Sequence, residues 1–176
     1  MPTPRLLAPA LLAPRHDIER FSNGRHASLD DWLHQRARAS EGLSARTYVS
    51  CTADPADRVV GYYAISTAVA RRVAMPSAKL RKGMPEDIPL LLIGRLAVDA
   101  AFQGRGLGAA LLADALRRCA AAASIAGVRG VIAHAIDEEA VRFYQRHGFQ
   151  VAPPLGERAV LLPIEALRLA IGGSAP

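Results

Sequence analysis

The sequence predicts an α/β fold, because patterns typical of strands and of helices alternate along the chain. Leu90 to Val98 is apolar nearly throughout, as expected of a buried strand. Residues 107–123 then carry apolar side chains at helical spacing, and residues 128–135 return to a strand pattern. The chain has 176 residues, of which 51% are hydrophobic, so it is long and apolar enough for one domain with a single core.

The first predicted helix covers residues 28–39. Ser28 precedes the first apolar residue and Asp31 follows three positions later, which is an imperfect capping box with Asp in place of Glu or Gln. The expected buried stripe consists of Leu29, Trp32, Leu33 and Ala37.

The next two strands are predicted as a hairpin. Residues 47–51 and 59–66 have strand patterns, and the segment 54–57 between them, Asp-Pro-Ala-Asp, has the composition of a turn.

The C-terminal half predicts two helices and two strands. The helix over residues 107–123 is expected to point Leu107, Leu111, Ala115 and Cys119 inward, and Asp114, Arg117 and Arg118 toward water. A second helix opens at the acidic residues 137–139, whose charges suit its dipole, and ends before Gly148, a natural left-handed cap. Residues 159–162 supply a final strand.

We expect residues 15–168 to form the folded domain. Residues 1–14 are predicted as an N-terminal tail leading to an edge strand, and residues 169–176 as a flexible C-terminal tail. The apolar run Leu6–Ala13 is interrupted by Pro9, which argues against a secretory signal.

Cysteine content and hydropathy indicate a cytoplasmic protein. Cys51 and Cys119 form neither a metal-ligand spacing nor a disulfide framework, so we expect no metal and a reducing compartment. No apolar run approaches the roughly 20 residues that a membrane span needs.

The segment Gln103 to Gly108, Gln-Gly-Arg-Gly-Leu-Gly, stands between the apolar strand and the long helix. Three glycines let the backbone come close to a ligand. A helix that begins here points unpaired N–H groups and the positive end of its dipole at the turn. The segment therefore predicts an anion site, best suited to a phosphate or pyrophosphate.

The turn also matches other patterns in part. The Walker pattern fails, because Ala109 and Ala110 stand where Lys and Ser or Thr are needed. The dinucleotide fingerprint matches formally at Gly104, Gly106 and Ala109, but residues 99–103 separate the strand from the first glycine, and no acid stands about 20 positions further on. A tight connection that binds nothing would explain one glycine, not three in alternation.

Two blocks of sequence resemble the GNAT family of acetyl-CoA-dependent N-acetyltransferases. Residues 94–99 and 102–108 look like the family's Gln/Arg-x-x-Gly-x-Gly/Ala loop after its fourth strand, and residues 143–149 look like its Phe-Tyr-x-x-x-Gly-Phe element. The resemblance covers most of the chain from about Val59 onward. It implies a GNAT fold, with a mixed, mostly antiparallel central sheet flanked by helices, in which the fourth and fifth strands splay apart.

The resemblance implies acetyl-CoA as cosubstrate and indicates the residues that bind it. The splayed fourth strand leaves backbone groups for the pantetheine arm at Leu96, Ala97 and Val98. The amides of the turn take the pyrophosphate, and Arg105 adds charge. The turn residues are Gln103, Gly104, Arg105, Gly106, Leu107, Gly108 and Ala109.

The resemblance also gives Tyr144 the catalytic role. When an amine attacks the thioester, a tetrahedral intermediate forms, and a nearby phenol can donate a proton to the departing coenzyme A thiolate. The backbone N–H of Val98 would stabilise the oxyanion. Considered alone, Tyr144 could instead be a core aromatic residue with its hydroxyl bonded elsewhere.

The N-terminal half resembles the GNAT toxins of toxin–antitoxin pairs that acetylate aminoacyl-tRNA. The matching segments are His16–Phe21, Leu29–Leu33, Ala45–Val49, Val60–Tyr63 and Ile88–Pro89. Those toxins usually carry Cys-Gly after the first Phe, whereas this chain has Ser22 there, which we interpret as a packing difference. The resemblance implies aminoacyl-tRNA as the acceptor, an antitoxin, commonly a small DNA-binding protein, as the partner, and a homodimer.

The charge distribution suits a nucleic-acid substrate. The net charge is +6, and residues 71–82 hold five cations and no acid, while the first predicted helix adds two more. We expect tRNA to contact Arg36, Arg38, Arg71, Arg72, Lys79, Arg81 and Lys82. A solvated face in an arginine-rich chain is the alternative.

No Asp or Glu stands out as a base for the acceptor amine. An α-amine with a pKa near 7.7 to 8.0 already offers free amine at neutral pH, so water could take the proton. His134, at the end of a predicted strand, is either a titratable candidate for this role or a strand-end residue. Two other functions stay open: acetylation of a small-molecule or protein amine, and a non-catalytic module that binds acyl-CoA or nucleic acid.

Overall fold

The computed structural model describes residues 3–172. The strands are β1 (Ala10–Leu11), β2 (Arg46–Cys51), β3 (Val59–Arg71), β4 (Asp87–Val98), β5 (Gly130–His134), β6 (Gln150–Val151) and β7 (Ala159–Pro163). The helices are α1 (Ala27–Gln35), α2 (Ala37–Ser40), α3 (Ala78–Arg81), α4 (Leu107–Ala123), α5 (Glu138–Arg146) and α6 (Ile164–Gly172). Short 3₁₀ turns occupy Arg72–Ala74, Ala100–Phe102 and Pro153–Leu155.

The strands within residues 3–172 form a seven-stranded sheet in the order β1-β2-β3-β4-β5-β7-β6. The pairs β1–β2, β2–β3, β5–β7 and β6–β7 are antiparallel, whereas β4 and β5 are parallel. This confirms the mixed, mostly antiparallel sheet. The parallel register runs from Leu91 opposite Val131 to Ile93 opposite Ala133, while β4 itself continues to Val98.

The chain divides into two compact units. The first comprises the chain up to Ser66 together with Arg95–Ala115, and the second comprises Thr67–Gly94 together with the chain from Leu116 onward. The first unit therefore holds the glycine turn and the end of β4, and the second holds α5 with Tyr144.

The core of the first unit is built around Tyr62 of β3, which is fully buried. Phe21 meets its ring edge-on at 5.4 Å, and Trp32 stacks on it at 5.9 Å. Leu33 and Ala37 are buried in the same cluster, with Leu29 and Trp32 packed against it. These contacts confirm the predicted stripe of the first helix.

The predicted capping box at Ser28 is wrong. α1 begins at Ala27, with His26 in the N-cap position and no side-chain cap. The preceding loop supplies the polar contacts instead: Asn23 Oδ1 accepts from the His26 N–H at 2.7 Å, and Asp30 Oδ1 accepts from the Asn23 N–H at 2.9 Å. The predicted single helix is also interrupted, since α2 is separate from α1.

The long helix α4 has the predicted bounds, and its four predicted inward side chains are buried. Asp114 differs from its prediction. It is half-buried and accepts a hydrogen bond from the Tyr63 hydroxyl, because that phenol is fully buried on β3 and needs an acceptor. No helix in the part of the chain that the structure describes is long and apolar enough to cross a membrane.

Regular structure extends into both predicted tails. β1 lies within residues 1–14 and pairs with β2, Ala10 standing opposite Val49. Helix α6 continues to Gly172, past the expected boundary at residue 168. The remaining residues of the C-terminal tail, 173–176, lie outside the described residues.

Candidate active site

The glycine turn adopts a conformation that side chains disfavour. Gly104 and Gly106 have φ angles of 74° and 79°, in the left-handed region. No atom lies within 4 Å of the position that a Cβ would take at either residue, so both glycines border open space. α4 begins at Leu107, directly after them, and its first N–H groups have no partner inside the helix. A helix start of this kind, bordered by open space, can bind an anion.

Two side chains hold the turn in place. Asp99 is buried and accepts from the Ala101 N–H at 2.9 Å and from the Ser22 N–H at 3.2 Å. Gln103 Nε2 donates to the carbonyl oxygens of Val98 at 3.0 Å and Asn23 at 2.9 Å. The Gln103 side chain is thus committed to the protein, and its main chain remains for a ligand.

Two guanidinium groups flank the turn on one aromatic ring. Arg105 lies 5.3 Å from the centroid of Phe102, and Arg58 lies 5.6 Å from the same centroid. Both distances are within cation–π range, and the paired charges make the potential beside the turn more positive. Arg58 was not predicted, because it belongs to the β2–β3 connection and no local pattern links it to the turn.

At the end of β4, the groups that could bind a ligand belong to the backbone rather than to side chains. Ala97 is buried in the core of the first unit, and Leu96 and Val98 are half-buried. The β4–β5 register stops at Ile93, so these three residues lie beyond it.

Tyr144 is a buried phenol within an aromatic cluster of the second unit. Phe143 and Phe149 meet its ring edge-on at 5.3 and 5.1 Å. Burial raises the pKa of Tyr144 well above its ordinary value, so the phenol stays protonated at neutral pH. Within residues 3–172 its hydroxyl makes no hydrogen bond, unlike that of Tyr62, which donates to the Leu29 carbonyl oxygen at 2.7 Å.

Other titratable groups contribute less to a site. Burial raises the pKa of Cys51 to about 11 and that of Cys119 to about 12, so neither thiol is a nucleophile at neutral pH. His134 is exposed at the end of β5, with its ring against Gly156.

The predicted cationic segment meets acids that are distant in sequence. Arg71 bonds Asp87 at 2.8 Å, and Arg72 bonds Glu86. Both acids lie at the start of β4, whose first residues run beside the end of β3: the Arg72 N–H donates to the Glu86 carbonyl oxygen at 2.8 Å. The two arginines therefore have much of their charge compensated.

The other predicted tRNA-binding cations of the second unit differ in whether they interact with protein groups. Lys79 and Lys82 are exposed and line a cleft of about 610 Å³ together with Arg129, which bonds Glu165 at 2.8 Å. Arg81 donates to the Met75 carbonyl oxygen at 2.7 Å.

The remaining two predicted cations lie in the first unit. Arg36 is exposed between α1 and α2, and Arg38 of α2 is exposed and donates to the His16 carbonyl oxygen at 2.7 Å. The structure thus groups the predicted cofactor residues in the first unit, whereas Tyr144 and the other five cations belong to the second.

Comparisons with known proteins show which family and which solved structures the chain is similar to. The profile of the family described as "Acetyltransferase (GNAT) domain" matches residues 45–151. A tRNA-acetylating toxin of Mycobacterium tuberculosis is 40% identical over 147 residues, which cover 83% of this chain and 86% of that protein.

Solved structures extend the similarity to nearly the whole chain. AtaT complexed with acetyl-methionyl-tRNAfMet superposes with a TM-score of 0.86 at 30% identity, over 95% of this chain and 99% of AtaT. A tyrosine-to-phenylalanine variant of AtaT, bound to the C-terminus of the antitoxin AtaR and acetyl-CoA, gives a TM-score of 0.79 at 28% identity, over 94% and 98% of the two chains. On the family profile, the 40% identical relative and the shared fold, this chain belongs to the GNAT family of acetyltransferases.

Proposed function

We propose that the chain transfers an acetyl group from acetyl-CoA to the α-amino group of aminoacyl-tRNA, and so blocks translation as the toxin of a toxin–antitoxin pair. The observation that carries this proposal is the 40% identity to a tRNA-acetylating toxin over 83% of the chain. The open, glycine-lined turn at the start of α4 supports the choice of cosubstrate.

Acetyl-CoA is placed by backbone groups. Its diphosphate rests on the amides of residues 103–109, beside the guanidinium of Arg105. Its pantetheine arm pairs with Leu96, Ala97 and Val98, where β4 has passed the end of its register with β5. The Val98 N–H then stabilises the negative charge that develops on the carbonyl oxygen.

Tyr144 acts as the general acid. Its raised pKa keeps the proton on the phenol until the coenzyme A thiolate departs, and its hydroxyl has no competing partner within residues 3–172. Water takes the proton of the attacking amine, because an α-amine is largely free amine near pH 8.

The proposed function also defines the binding partners. Aminoacyl-tRNA is the acceptor, and a cognate antitoxin, a small DNA-binding protein, neutralises the enzyme. AtaT is bound by the C-terminus of its antitoxin, which supports a partner of this kind. We place the protein in the cytoplasm, where charged tRNA is found, as a homodimer.

The acceptor class is tested with labelled acetyl-CoA. The protein is incubated with total charged tRNA, with polyamines and with bulk protein in separate reactions. Label should appear on the tRNA, and base hydrolysis of the aminoacyl ester should release it as N-acetylated amino acids. Label on polyamine or protein alone would instead identify an enzyme for those amines, and no transfer to any acceptor would leave only a binding module.

The cations of the second unit should contribute unequally to tRNA binding. The association constant for tRNA falls as salt rises. Replacing Lys79 and Lys82 with Ser should make this dependence shallower, reducing the magnitude of the slope of log K against log salt by roughly 1.4 to 1.8, as expected for two lost phosphate contacts. Replacing Arg71 and Arg72 with Ser should change the slope by less than half as much, because Glu86 and Asp87 already occupy these arginines. Filter binding across a salt series measures both slopes. Equal changes for the two pairs would contradict this ranking.

A further inference from the structure

The cleft of about 610 Å³ in the second unit lies at the N-terminal ends of β4 and β5. Four charged side chains line it: Lys79, Lys82, Arg129 and Glu165. We propose that this cleft binds one unpaired nucleotide of the acceptor tRNA, with the phosphate on the two lysines and the edge of the base on Arg129 and Glu165. This inference rests on the proposed function and adds a base-binding site to it.

The rest of the cleft is largely apolar. The apolar lining residues are Met84, Pro85, Pro89, Val128 and Ile164. The faces of a nucleobase can pack against such side chains, and a methionine thioether makes favourable contacts with aromatic rings. The volume also falls within the range of about 300–1,000 Å³ that is usual for sites of small organic ligands. The cleft therefore offers both the space and the surface that a base requires.

Arg129 is held in a fixed position and still has donors to offer. Its side chain is only 9% exposed, its N–H donates to the Pro89 carbonyl oxygen at 2.9 Å, and its own carbonyl oxygen accepts from the Ile164 N–H at 2.9 Å. Within residues 3–172 its guanidinium bonds only Glu165, from Nη1 at 2.8 Å. No other nitrogen of the group is a buried atom without a partner, so the remaining N–H groups are open to solvent and can bond a ligand.

Glu165 favours a nucleotide over an acidic peptide as the ligand. The hydrogen bond from Arg129 lowers the pKa of Glu165, so the carboxylate is ionised at neutral pH. A carboxylate repels an acidic peptide, whereas the edge of a nucleobase presents N–H donors beside oxygen or nitrogen acceptors. The guanidinium can only donate and the carboxylate can only accept. Together they match the mixed edge of a base.

Lys79 and Lys82 supply the charge that a phosphate needs. Both are exposed, and neither ammonium group bonds another residue within residues 3–172. The charge of Lys79 contributes to the lowered pKa of Glu165, so the lysine lies near the residues proposed to bind the base. The bases of double-stranded RNA are stacked and paired, and only a splayed, unpaired nucleotide can place its base in a protein cleft. The expected ligand is therefore a single-stranded part of the tRNA.

The test compares Glu165→Gln with Glu157→Gln, which removes the same charge from a side chain that is 89% exposed. Fluorescence anisotropy measures binding of a short single-stranded RNA and of an abasic ribose-phosphate chain of the same length. Glutamine keeps one oxygen for Arg129 but replaces the other with an amide donor. Glu165→Gln should therefore weaken RNA binding roughly tenfold, the loss of one charge-assisted hydrogen bond.

The other combinations should respond differently. The abasic chain should bind Glu165→Gln at least as tightly as the wild-type protein, because one negative charge has been removed. Lys82→Met should weaken binding of both probes by the same factor, since both carry phosphate. Glu157→Gln should change neither.

Three results would overturn the proposal. They are unchanged RNA binding by Glu165→Gln, tighter RNA binding, which would indicate an acidic ligand instead, and an equal loss on both probes. An equal loss with a lower melting temperature would assign Glu165 to holding Arg129 in place. Acetylation of charged tRNA by the wild-type protein is measured in parallel. No transfer would reject the proposed function, whereas the two probes decide whether the cleft binds a base independently of that result.

Discussion

Tyr144→Phe should lower kcat by roughly 10²–10⁴, the range typical for loss of a general acid. The substitution removes one oxygen and keeps the ring, so the edge-on contacts with Phe143 and Phe149 persist. The lost hydroxyl leaves no partner unsatisfied within residues 3–172, because none bonds to it there. Single-turnover acetylation of charged tRNA measures the effect, and acetyl-CoA affinity should be nearly unchanged.

The matched control is Tyr62→Phe. It removes a phenol oxygen that does have a partner, the Leu29 carbonyl, and so should lower the melting temperature while changing kcat little. Full activity of the Tyr144→Phe variant would assign Tyr144 to packing.

The pH profile gives a second check on Tyr144. Because burial raises its pKa, the phenol remains a proton donor through the alkaline range. The rate should rise with pH as the acceptor amine loses its proton, at a pH below the 7.7 to 8.0 of an ordinary α-amine because the neighbouring ester lowers the pKa of the amine, and should then stay level to about pH 10. A fall between pH 8 and 9 in wild type, absent from the Phe variant, would show that the phenol ionises too early to act as proposed.

Local patterns were sufficient for the elements that position the cofactor. The bounds of α4 follow from apolar spacing that begins directly after Gly106, and glycine permits the left-handed φ that Gly104 and Gly106 adopt. The β2–β3 hairpin likewise follows from two strand patterns around a polar turn. In each case the interactions that determine the structure are between residues close in sequence, so a short segment of the chain is enough to predict it.

Long-range partners could not be read from the sequence. The bond from Gln103 to Asn23 spans 80 positions, and the pair Tyr63–Asp114 spans 51. A helical wheel places Asp114 on the solvent-facing side of α4. It is half-buried because the buried Tyr63 hydroxyl of β3 contacts it. The compensated charge of Arg71 likewise depends on β3 and β4 being neighbours, which a count of charges over residues 71–82 does not include.

The capping error at Ser28 has the same origin. A Ser followed three positions later by an acid is a reasonable local cap, but Asn23 and Asp30 build a bonded loop that starts the helix earlier. That loop also receives the Gln103 side chain, so the start of α1 and the glycine turn are parts of one hydrogen-bonded network. The replacement of the usual cysteine at Ser22 falls within it, where the Ser22 hydroxyl donates to Asp30.

Gly106→Asp should weaken acetyl-CoA binding by roughly 10²–10³, since a carboxylate would then project into the space proposed for the diphosphate. The residue has φ of 79° and nothing within 4 Å of its would-be Cβ, so the new side chain enters open space without a clash. Asp tolerates the left-handed region better than most residues, which keeps the cost in folding free energy to about 1–2 kcal/mol. Calorimetric titration with acetyl-CoA measures the affinity, and thermal unfolding measures the stability.

Two controls separate charge from strain in that experiment. Gly83→Asp introduces the same charge at a residue with φ of 74° and an equally open surrounding, so it should cost similar stability and leave acetyl-CoA affinity unchanged. Gly106→Asn has nearly the same shape as Asp without its charge, so it should lose affinity through obstruction but less than Gly106→Asp does. Because repulsion between two anions weakens in salt, the gap between the Asn and Asp variants should narrow as ionic strength rises. If Gly106→Asp bound acetyl-CoA as tightly as the wild-type protein, the diphosphate could not bind at this turn. The proposed position of the pantetheine arm along β4 would then be wrong as well, because it depends on the diphosphate site.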